Sequence, residues 1–397
     1  MSSLWKKSAV ALAVVAWAFA FTGCVSAPTG AARELITNDP QLAGIATKDK
    51  VLWQYRLAVR ALRAERFDEA RERLDDAILT MGGIITDSED AARARSLWSA
   101  ESTKVFIGEP YERAMAFYYR GMLYWRDGEP DNARACFRSA QFIDSAAGVA
   151  SYQSDYVLLD YLDGLASTKL AADGSDAFAR AEKTARSDLP AYDPAANVLV
   201  FAEWGRGPRK YGSGEFGQEL RFETHESRAQ RARLTVADRV FALPAYDDLN
   251  FQATTRGGRV MDHILGNKAV FKSGADAIGD VALAGAAVAA HNIRKRNGEK
   301  SHNAENAAIA FGIIGLISKA AAYAANASAD TRTWDNLPQS LGFAALHLPP
   351  GDHPATIEFL DENDQPLPAH TQEVTLHVES ADRDTVIFLS ELSKKQP

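Results

Sequence analysis

The sequence predicts an α+β fold, in which an N-terminal array of helical repeats is followed by a module that contains a mixed sheet. From about residue 50 to residue 190, apolar residues recur at intervals of three and four, as on one face of a helix. After residue 190 they form short runs or alternate with polar residues between turns that contain Gly and Pro, as in strands. An apolar segment rich in Ala and Gly at 275–327 predicts a helical hairpin within this second module.

The N-terminus has the layout of a secretory signal peptide. Lys6 and Lys7 precede an uncharged apolar run at 9–21, which is too short to span a bilayer comfortably as a helix. The end of this run, from Phe21 to Cys24, resembles the lipobox of bacterial lipoproteins, in which small residues precede an invariant cysteine. The alternative is an ordinary cleaved signal peptide that is followed by a cysteine by chance.

The lipobox resemblance implies that Cys24 is the site of lipid attachment. In that family, the segment equivalent to 1–23 is removed, the cysteine thiol carries diacylglycerol, and the new amino terminus is acylated, for example with palmitate. Val25 and Ser26 follow Cys24, instead of the aspartate that retains many lipoproteins at the inner membrane. The resemblance therefore implies anchoring in the outer membrane, facing the periplasm, with residues 24–46 as a lipidated tether.

Composition limits the partners and the covalent chemistry of the mature chain. Loss of Lys6 and Lys7 with the signal peptide moves the net charge from −8 to −10, which argues against nucleic acid as the main partner. If Cys24 is acylated, Cys136 is the only other cysteine, and no disulfide can form within the chain. Cys136 lies in a helical pattern, so we expect it to be a small buried residue.

The helical region at 47–190 contains pairs of helices with a recurring spacing of small residues. Ala58 and Ala70 in the first pair, and Gly121 and Ala133 in the second, are each twelve residues apart. This pattern resembles the tetratricopeptide repeat (TPR), a helix–turn–helix unit of 34 residues. An extra helix at 88–104 is expected between the two copies, and a degenerate third pair at 152–186. The alternative is a generic antiparallel helical bundle.

The TPR resemblance also predicts a surface for a protein partner, because stacked repeats curve and bind partners on their concave face. Tryptophan, tyrosine and arginine are the residue types most often found at binding hot spots. The alternative for each residue is packing against a neighbouring helix. By the resemblance, the concave face carries Tyr55, Val59, Leu62 and Arg63 in the first copy and Tyr118, Met122, Trp125 and Arg126 in the second.

The C-terminal module, at 191–397, combines predicted strands with the apolar hairpin at 275–327. A hairpin that covers a sheet is favoured over one that enters a membrane or forms a pore, because Asp276, Asp280 and Lys319 interrupt its apolar runs. The turn at 205–208 is expected to close a β-hairpin. Strands are predicted at 197–204, 220–224, 232–236, 341–348, 355–360, 374–378 and 385–389.

The segment from Trp334 to the Leu-Pro-Pro-Gly turn that ends at Gly351 is similar to the C-terminal part of a family of uncharacterised proteobacterial outer-membrane lipoproteins with helical repeats. This resemblance covers most of the mature chain. It implies a role in the cell envelope, since relatives are encoded near a lipoprotein that activates a peptidoglycan synthase. It implies no catalytic residue.

Sequence motifs for catalysis are missing. The eight histidines have no metal-ligand spacing, and neither a Gly-x-Ser-x-Gly elbow nor a phosphate-binding loop occurs. We therefore predict a scaffold or adaptor rather than an enzyme, without a metal or another cofactor, that binds an envelope protein through its repeats. The alternative is a subunit of a membrane-inserting or export assembly that uses 275–327, and an envelope hydrolase is a third possibility.

Overall fold

A computed structural model describes residues 48–86, 105–145, 154–190, 193, 195–214, 217, 219–255 and 329–393. These residues contain both helices and sheets and belong to one unit that begins at residue 46. The predicted α+β class is therefore confirmed. The signal peptide, Cys24, the tether to residue 46, the expected helix at 88–104 and the apolar hairpin at 275–327 lie outside the described residues.

Six of the seven α-helices in the described ranges form three consecutive pairs, and each pair is joined by a short turn. Two of these helices begin at a proline, Pro110 and Pro130, because the first turn of a helix needs no backbone N–H donor. The pairs are α1 (Lys50–Arg63) with α2 (Phe67–Thr86), α3 (Pro110–Arg126) with α4 (Pro130–Asp144), and α5 (Val157–Lys169) with α6 (Ser175–Thr184). The short helix α7 (Leu249–Thr254) follows much later.

Small residues allow the two helices of a pair to approach closely, at Gly121 of the sequence pattern and also at Gly164 in the third pair. A Cβ atom placed on Gly121 would lie 2.6 Å from the ring of Phe137, and one on Gly164 would lie 2.9 Å from the ring of Phe178. Both distances are shorter than a normal van der Waals contact, so a larger residue at either position would force the phenylalanine ring or the helices to shift. The predicted helix pairs, including the third, are present, and small residues lie at their contacts.

Ten strands in the described part of the chain form two four-stranded sheets and one separate pair. Sheet 1 has the order β10-β1-β7-β6, sheet 2 the order β5-β4-β8-β9, and β2 pairs with β3. The strands are β1 (Val198–Trp204), β2 (Arg209–Ser213), β3 (Glu219–Glu223), β4 (Arg231–Val236), β5 (Arg239–Pro244), β6 (Asp247–Asp248), β7 (Ser340–Leu346), β8 (Gly351–Leu360), β9 (Gln372–Val378) and β10 (Thr385–Ser390).

Strand β1 is the centre of a three-layer arrangement, because both of its faces are buried. Leu199 and Phe201 belong to the core that the helices form, whereas Val198 and Val200 belong to the core between the two sheets. Successive residues of a strand point to opposite faces, so the helices cover one face of sheet 1 and sheet 2 covers the other. The helical region and the strands thus share one core, and the change near residue 190 is a change of secondary structure within one unit.

The predicted strands are observed, but one predicted connection is wrong. The turn at 205–208 was expected to join two paired strands, whereas β1 pairs with β7 and β10, and β2 pairs with β3. Gly207 donates its N–H to Leu337 O at 2.9 Å, which directs the chain away from β1. Strand β10 runs parallel to β1 although nearly 190 residues separate them, so local turn chemistry could not reveal this pairing.

A buried ion pair connects the β2–β3 pair to the helices. The Lys210 side chain donates to Glu112 Oε2, and both side chains are nearly inaccessible to solvent. Glu112 Oε1 also accepts from the Trp334 N–H at 2.8 Å, and Glu112 Oε2 accepts from the Glu109 N–H at 2.7 Å. One carboxylate therefore joins α3, β2 and the segment that leads to β7.

Within the described ranges, none of the helices combines the length and the apolar character that a membrane-spanning helix requires.

Candidate functional site

The side chains predicted to bind a partner lie largely between the helices and sheet 1. Tyr55 is fully buried and stacks on Trp334, with ring centroids 4.2 Å apart and planes at 16°. Tyr118 is 2% exposed, and its ring meets the ring of Phe201 of β1 edge-on at 6.0 Å. Met122 is also fully buried in the same core. These three side chains pack inside the protein.

Trp125 is also part of this internal contact. It is 1% exposed, and its Nε1–H donates to Asp384 Oδ2 at 2.9 Å. Asp384 precedes β10 and pairs through its other oxygen with Lys169 Nζ at the end of α5, at 2.7 Å. The Trp125 side chain therefore holds the start of β10 against two of the helix pairs.

Arg63 makes an ion pair with a buried glutamate of sheet 1. Its Nε–H donates to Glu203 Oε1 at 2.7 Å, and Glu203 is only 1% exposed. The same carboxylate accepts from the Tyr119 hydroxyl at 2.5 Å and from the Ser390 hydroxyl at 2.7 Å. Burial, together with the Glu203 charge, raises the pKa of the Tyr119 phenol well above its usual value, so Tyr119 acts here as a neutral donor.

The prediction that these residues form an open groove for another protein is therefore wrong. The face that the TPR resemblance assigned to a partner is covered by the chain's own sheet 1. Aromatic and arginine side chains that suit a binding hot spot suit an internal interface equally well, so their identity alone does not distinguish the two. The affected residues are Tyr55, Val59, Leu62, Arg63, Tyr118, Met122 and Trp125.

Arg126 is the one predicted binding residue whose side chain stays substantially accessible, at 39%. Its guanidinium lies over the ring of Phe67, 4.2 Å from the ring centroid. Both residues line a cleft of about 410 Å³, which we call the edge cleft. Its walls are the turns of the first two helix pairs (Glu65, Phe67, Arg126 and Asp127), residues 374–377 of β9 with Glu379, and residues 383–389, which enter and form most of β10.

Charged groups of both signs line the edge cleft. Asp127 and Asp384 have close hydrogen-bond partners, whereas the ion pairs of the two arginines are longer. Asp127 accepts from Arg71 at 3.1 Å, and Asp384 is held by Trp125 and Lys169. The two arginines have longer contacts. Arg126 lies 3.8 Å from Asp127, and Arg383 lies 3.6 Å from Glu379.

The cleft is also bordered by the edges of two different sheets. On β10, the Thr385 N–H donates to Asn197 O beside β1, so Thr385, Ile387 and Leu389 direct their backbone groups toward β1. The N–H and C=O groups of Val386 and Phe388 consequently point away from β1. No strand in the described part of the chain pairs with that side of β10.

The outer edge of β9 is open in the same sense. The Leu360 carbonyl accepts from Gln230 on the β4 side, and that of Phe359 accepts from Leu367 on the opposite side. Successive residues of β8 alternate in this way, so the backbone groups of Pro354 point toward β4 and not toward β9. Thr375 lies opposite Pro354 on β9, so its N–H and C=O point away from β8 as well. Among the described residues, two walls of the edge cleft thus have backbone groups without a strand partner.

The described residues show no geometry for metal or thiol chemistry. No group of three His, Cys, Asp or Glu side chains within them could hold a metal ion. Burial raises the pKa of the Cys136 thiol to about 12, which disfavours the reactive thiolate. His347 Nδ1 and His353 Nε2 contact backbone carbonyls, those of Ala195 and Pro349, rather than carboxylates.

Asp247 is a buried carboxylate that supports the helical layer. It lies in β6, and its two oxygens accept from the N–H groups of Val157 and Leu158, at 2.8 and 2.9 Å. It therefore caps the N-terminus of α5 from a distant part of the chain. Burial raises the pKa of the Asp247 carboxyl to about 7, with a further contribution from Asp155 and Asp144, although the two helix N–H groups act in the opposite direction.

We expect this residue to produce a measurable pH dependence of stability. Between about pH 4 and pH 7 the folded state holds a proton on Asp247 that the unfolded chain has released. The free energy of unfolding should therefore fall as pH rises through this window. The variant Asp247→Asn should show a shallower fall, which denaturant titrations at several pH values would measure. An unchanged slope in the variant would contradict the assignment.

No protein-family model matches this chain, and the searches of curated proteins and of solved structures gave no match either.

Proposed function

We propose that this protein is a lipid-anchored scaffold that holds another envelope protein in its edge cleft. The observation that carries the proposal is the cleft itself, where two helix turns, the open edges of β9 and β10, and the accessible Arg126 meet. The volume of the cleft, about 410 Å³, falls within the range of small-molecule binding pockets. The function proposed is binding rather than catalysis.

The N-terminal sequence supports the proposed location. Through the lipobox resemblance, acyl chains on Cys24 hold the protein on the periplasmic side of the outer membrane. Residues 24–46 then tether the folded part to the membrane. The resemblance to proteobacterial lipoproteins supports a role in assembly of the cell envelope or its peptidoglycan.

The helix pairs have a modified role in this proposal. We interpret α1 to α6 as a TPR-like array whose partner face is taken up by sheet 1 of the same chain. The array therefore positions the strand edges instead of presenting a groove. Small residues at the contacts within the pairs, such as Gly121 and Gly164, support this interpretation.

Photo-crosslinking in intact cells tests the proposed partner site. A photo-reactive residue at Thr375, which is exposed and lines the edge cleft, should capture one envelope protein. The matched control is Val240, which is 63% exposed on β5 at the opposite edge of sheet 2. Absence of capture at 375, or equal capture at both positions, would contradict the proposal.

A further inference from the structure

We infer that the partner binds in the edge cleft as an extended strand that pairs with the outer edge of β10, and that an acidic residue of this strand lies beside Arg126 and Arg383. The inference rests on the proposed function for the existence of a partner. It adds the chemistry of recognition, namely backbone pairing along β10 and a carboxylate at the two guanidinium groups.

The backbone of β10 is arranged for such pairing. Val386 and Phe388 direct their N–H and C=O groups away from β1, while the Ser390 carbonyl already accepts from the Gln372 side chain at 2.8 Å. The open stretch therefore offers two donors and two acceptors at a spacing of two residues, which is the spacing of a β-ladder. An added strand satisfies these groups with main-chain hydrogen bonds.

The other edge strands of the two four-stranded sheets, β5, β6 and β9, carry features that discourage strand addition, and β10 lacks them. Pro244 of β5 lies opposite Arg231 of β4, whose backbone groups point toward β8. The backbone of Pro244 therefore points to the outer edge, where proline has no N–H to donate. Strand β6 has two residues and runs directly into α7. Strand β9 carries the exposed residues Glu373 and His377. By contrast, β10 spans six residues without a charge or a proline.

The walls of the cleft favour a single strand over a second copy of this protein. The helix turn at Phe67 and Arg126 lies on one side of the β10 edge, and β9 lies on another. A second folded copy would have to bring a whole sheet edge between these walls, whereas an extended segment brings only one strand. The occupant we infer is therefore an extended segment of a different protein.

The two arginines that line the cleft point to the acidic residue. Acidic side chains line the cleft as well, namely Glu65, Asp127, Glu379 and Asp384. A guanidinium has five N–H donors, and the contacts of Arg126 with Asp127 at 3.8 Å and of Arg383 with Glu379 at 3.6 Å are long. Arg383 Nη2 also donates to the Arg126 carbonyl at 3.4 Å, which places the two residues side by side. Both guanidinium groups line the edge cleft, and their remaining N–H donors suit a carboxylate of the bound strand.

Peptide display on the purified mature protein tests this inference. The probe is a library of random twelve-residue peptides on phage. We expect the enriched peptides to combine alternating β-branched or aromatic residues with an Asp or Glu at one end. Arg383→Ala should weaken their binding about two- to fivefold, as for an exposed ion pair. On the wild-type protein, bound peptide should slow amide hydrogen exchange in the segment 385–390.

A proline pair supplies the matched variants. Val386→Pro removes one outward N–H from β10 without removing a hydrogen bond to β1, and should weaken peptide binding by at least about tenfold. Val240→Pro makes the same change on the outer edge of β5 and should leave binding unchanged. If Val386→Pro does not fold, the amide hydrogen exchange of residues 385–390 in the wild-type protein still shows whether the peptide binds along β10.

Several results would overturn the inference: no enriched peptide, equal binding to both proline variants, or protection of another segment. Dimerisation that Val386→Pro abolishes would also overturn it, because the occupant would then be a second copy. Failure of the proposed function is distinguishable from these. Capture of a partner at position 375 that persists in Val386→Pro leaves the scaffold proposal intact, whereas absence of capture contradicts the scaffold itself.

Discussion

Replacing Trp125 with alanine is expected to lower the free energy of unfolding by about 3–5 kcal/mol. The indole is 1% exposed and packs beside the Phe137 ring, with the two ring centroids 6.2 Å apart. Its removal therefore leaves a cavity between α3 and the neighbouring layers. The change also removes the hydrogen bond to Asp384, whose carboxylate then keeps Lys169 as its partner. Denaturant unfolding of the purified protein, extrapolated linearly to water, measures the loss.

The control is an aromatic residue on the neighbouring helix. Phe142 of α4 is 79% exposed, so Phe142→Ala should change the free energy of unfolding by no more than about 0.5 kcal/mol. If Trp125→Ala had an equally small effect, the indole would not be buried against β10. The helical face would then be open, as the sequence alone suggested.

Replacing Glu203 with alanine is expected to cost about 3–5 kcal/mol of stability, because it breaks a buried ion pair by removing one partner. Arg63, whose side chain is 12% exposed in the ion pair, would lose its carboxylate, and the hydroxyls of Tyr119 and Ser390 would each lose an acceptor. The same denaturant titration measures this loss.

Glu358 supplies the matched control for this prediction. It forms an ion pair with Arg233 on sheet 2 at 2.8 Å, with side chains 21% and 36% exposed respectively. Glu358→Ala should therefore cost less than about 1 kcal/mol. Equal losses in the two variants would mean that the Glu203 network does not connect the helices to sheet 1.

Local sequence patterns were sufficient for most elements of the fold. The helical intervals around Ala58 and Gly121, and the apolar run at 197–204, each depend on neighbours within a few residues. The run at 197–204 even indicates a strand with both faces covered, because it shows no alternation. That pattern, taken further, would have predicted a layer on each side of β1.

The sequence could not show which layer covers which face. The pairing of β10 with β1 joins residues almost 190 positions apart, and no turn motif specifies it. The side chains of Tyr118 and Trp125 have the composition of a binding surface and also of a core, so their role depended on where sheet 1 lies. The side chain of Arg126 is accessible because this residue lies at the end of α3, beside the turn to α4.

The edge cleft could not be predicted from the sequence, for the same reason. Its two strand walls belong to different sheets, and the open backbone groups of Val386 and Phe388 become visible only when the partner of β10 is known. The segment 385–389 was predicted as a strand, but a strand pattern does not indicate an edge. The proposed binding site therefore depends on tertiary pairing more than on any motif.

A double-mutant cycle between Arg63 and Glu203 tests most directly whether the helices pack on sheet 1. Unfolding free energies are measured for the wild type, for Arg63→Ala, for Glu203→Ala and for the double variant. Because the two side chains are in contact at 2.7 Å, we expect a coupling energy of about 2–3 kcal/mol. Additive effects, with a coupling within about 0.5 kcal/mol of zero, would mean that Arg63 is free on an open helical face.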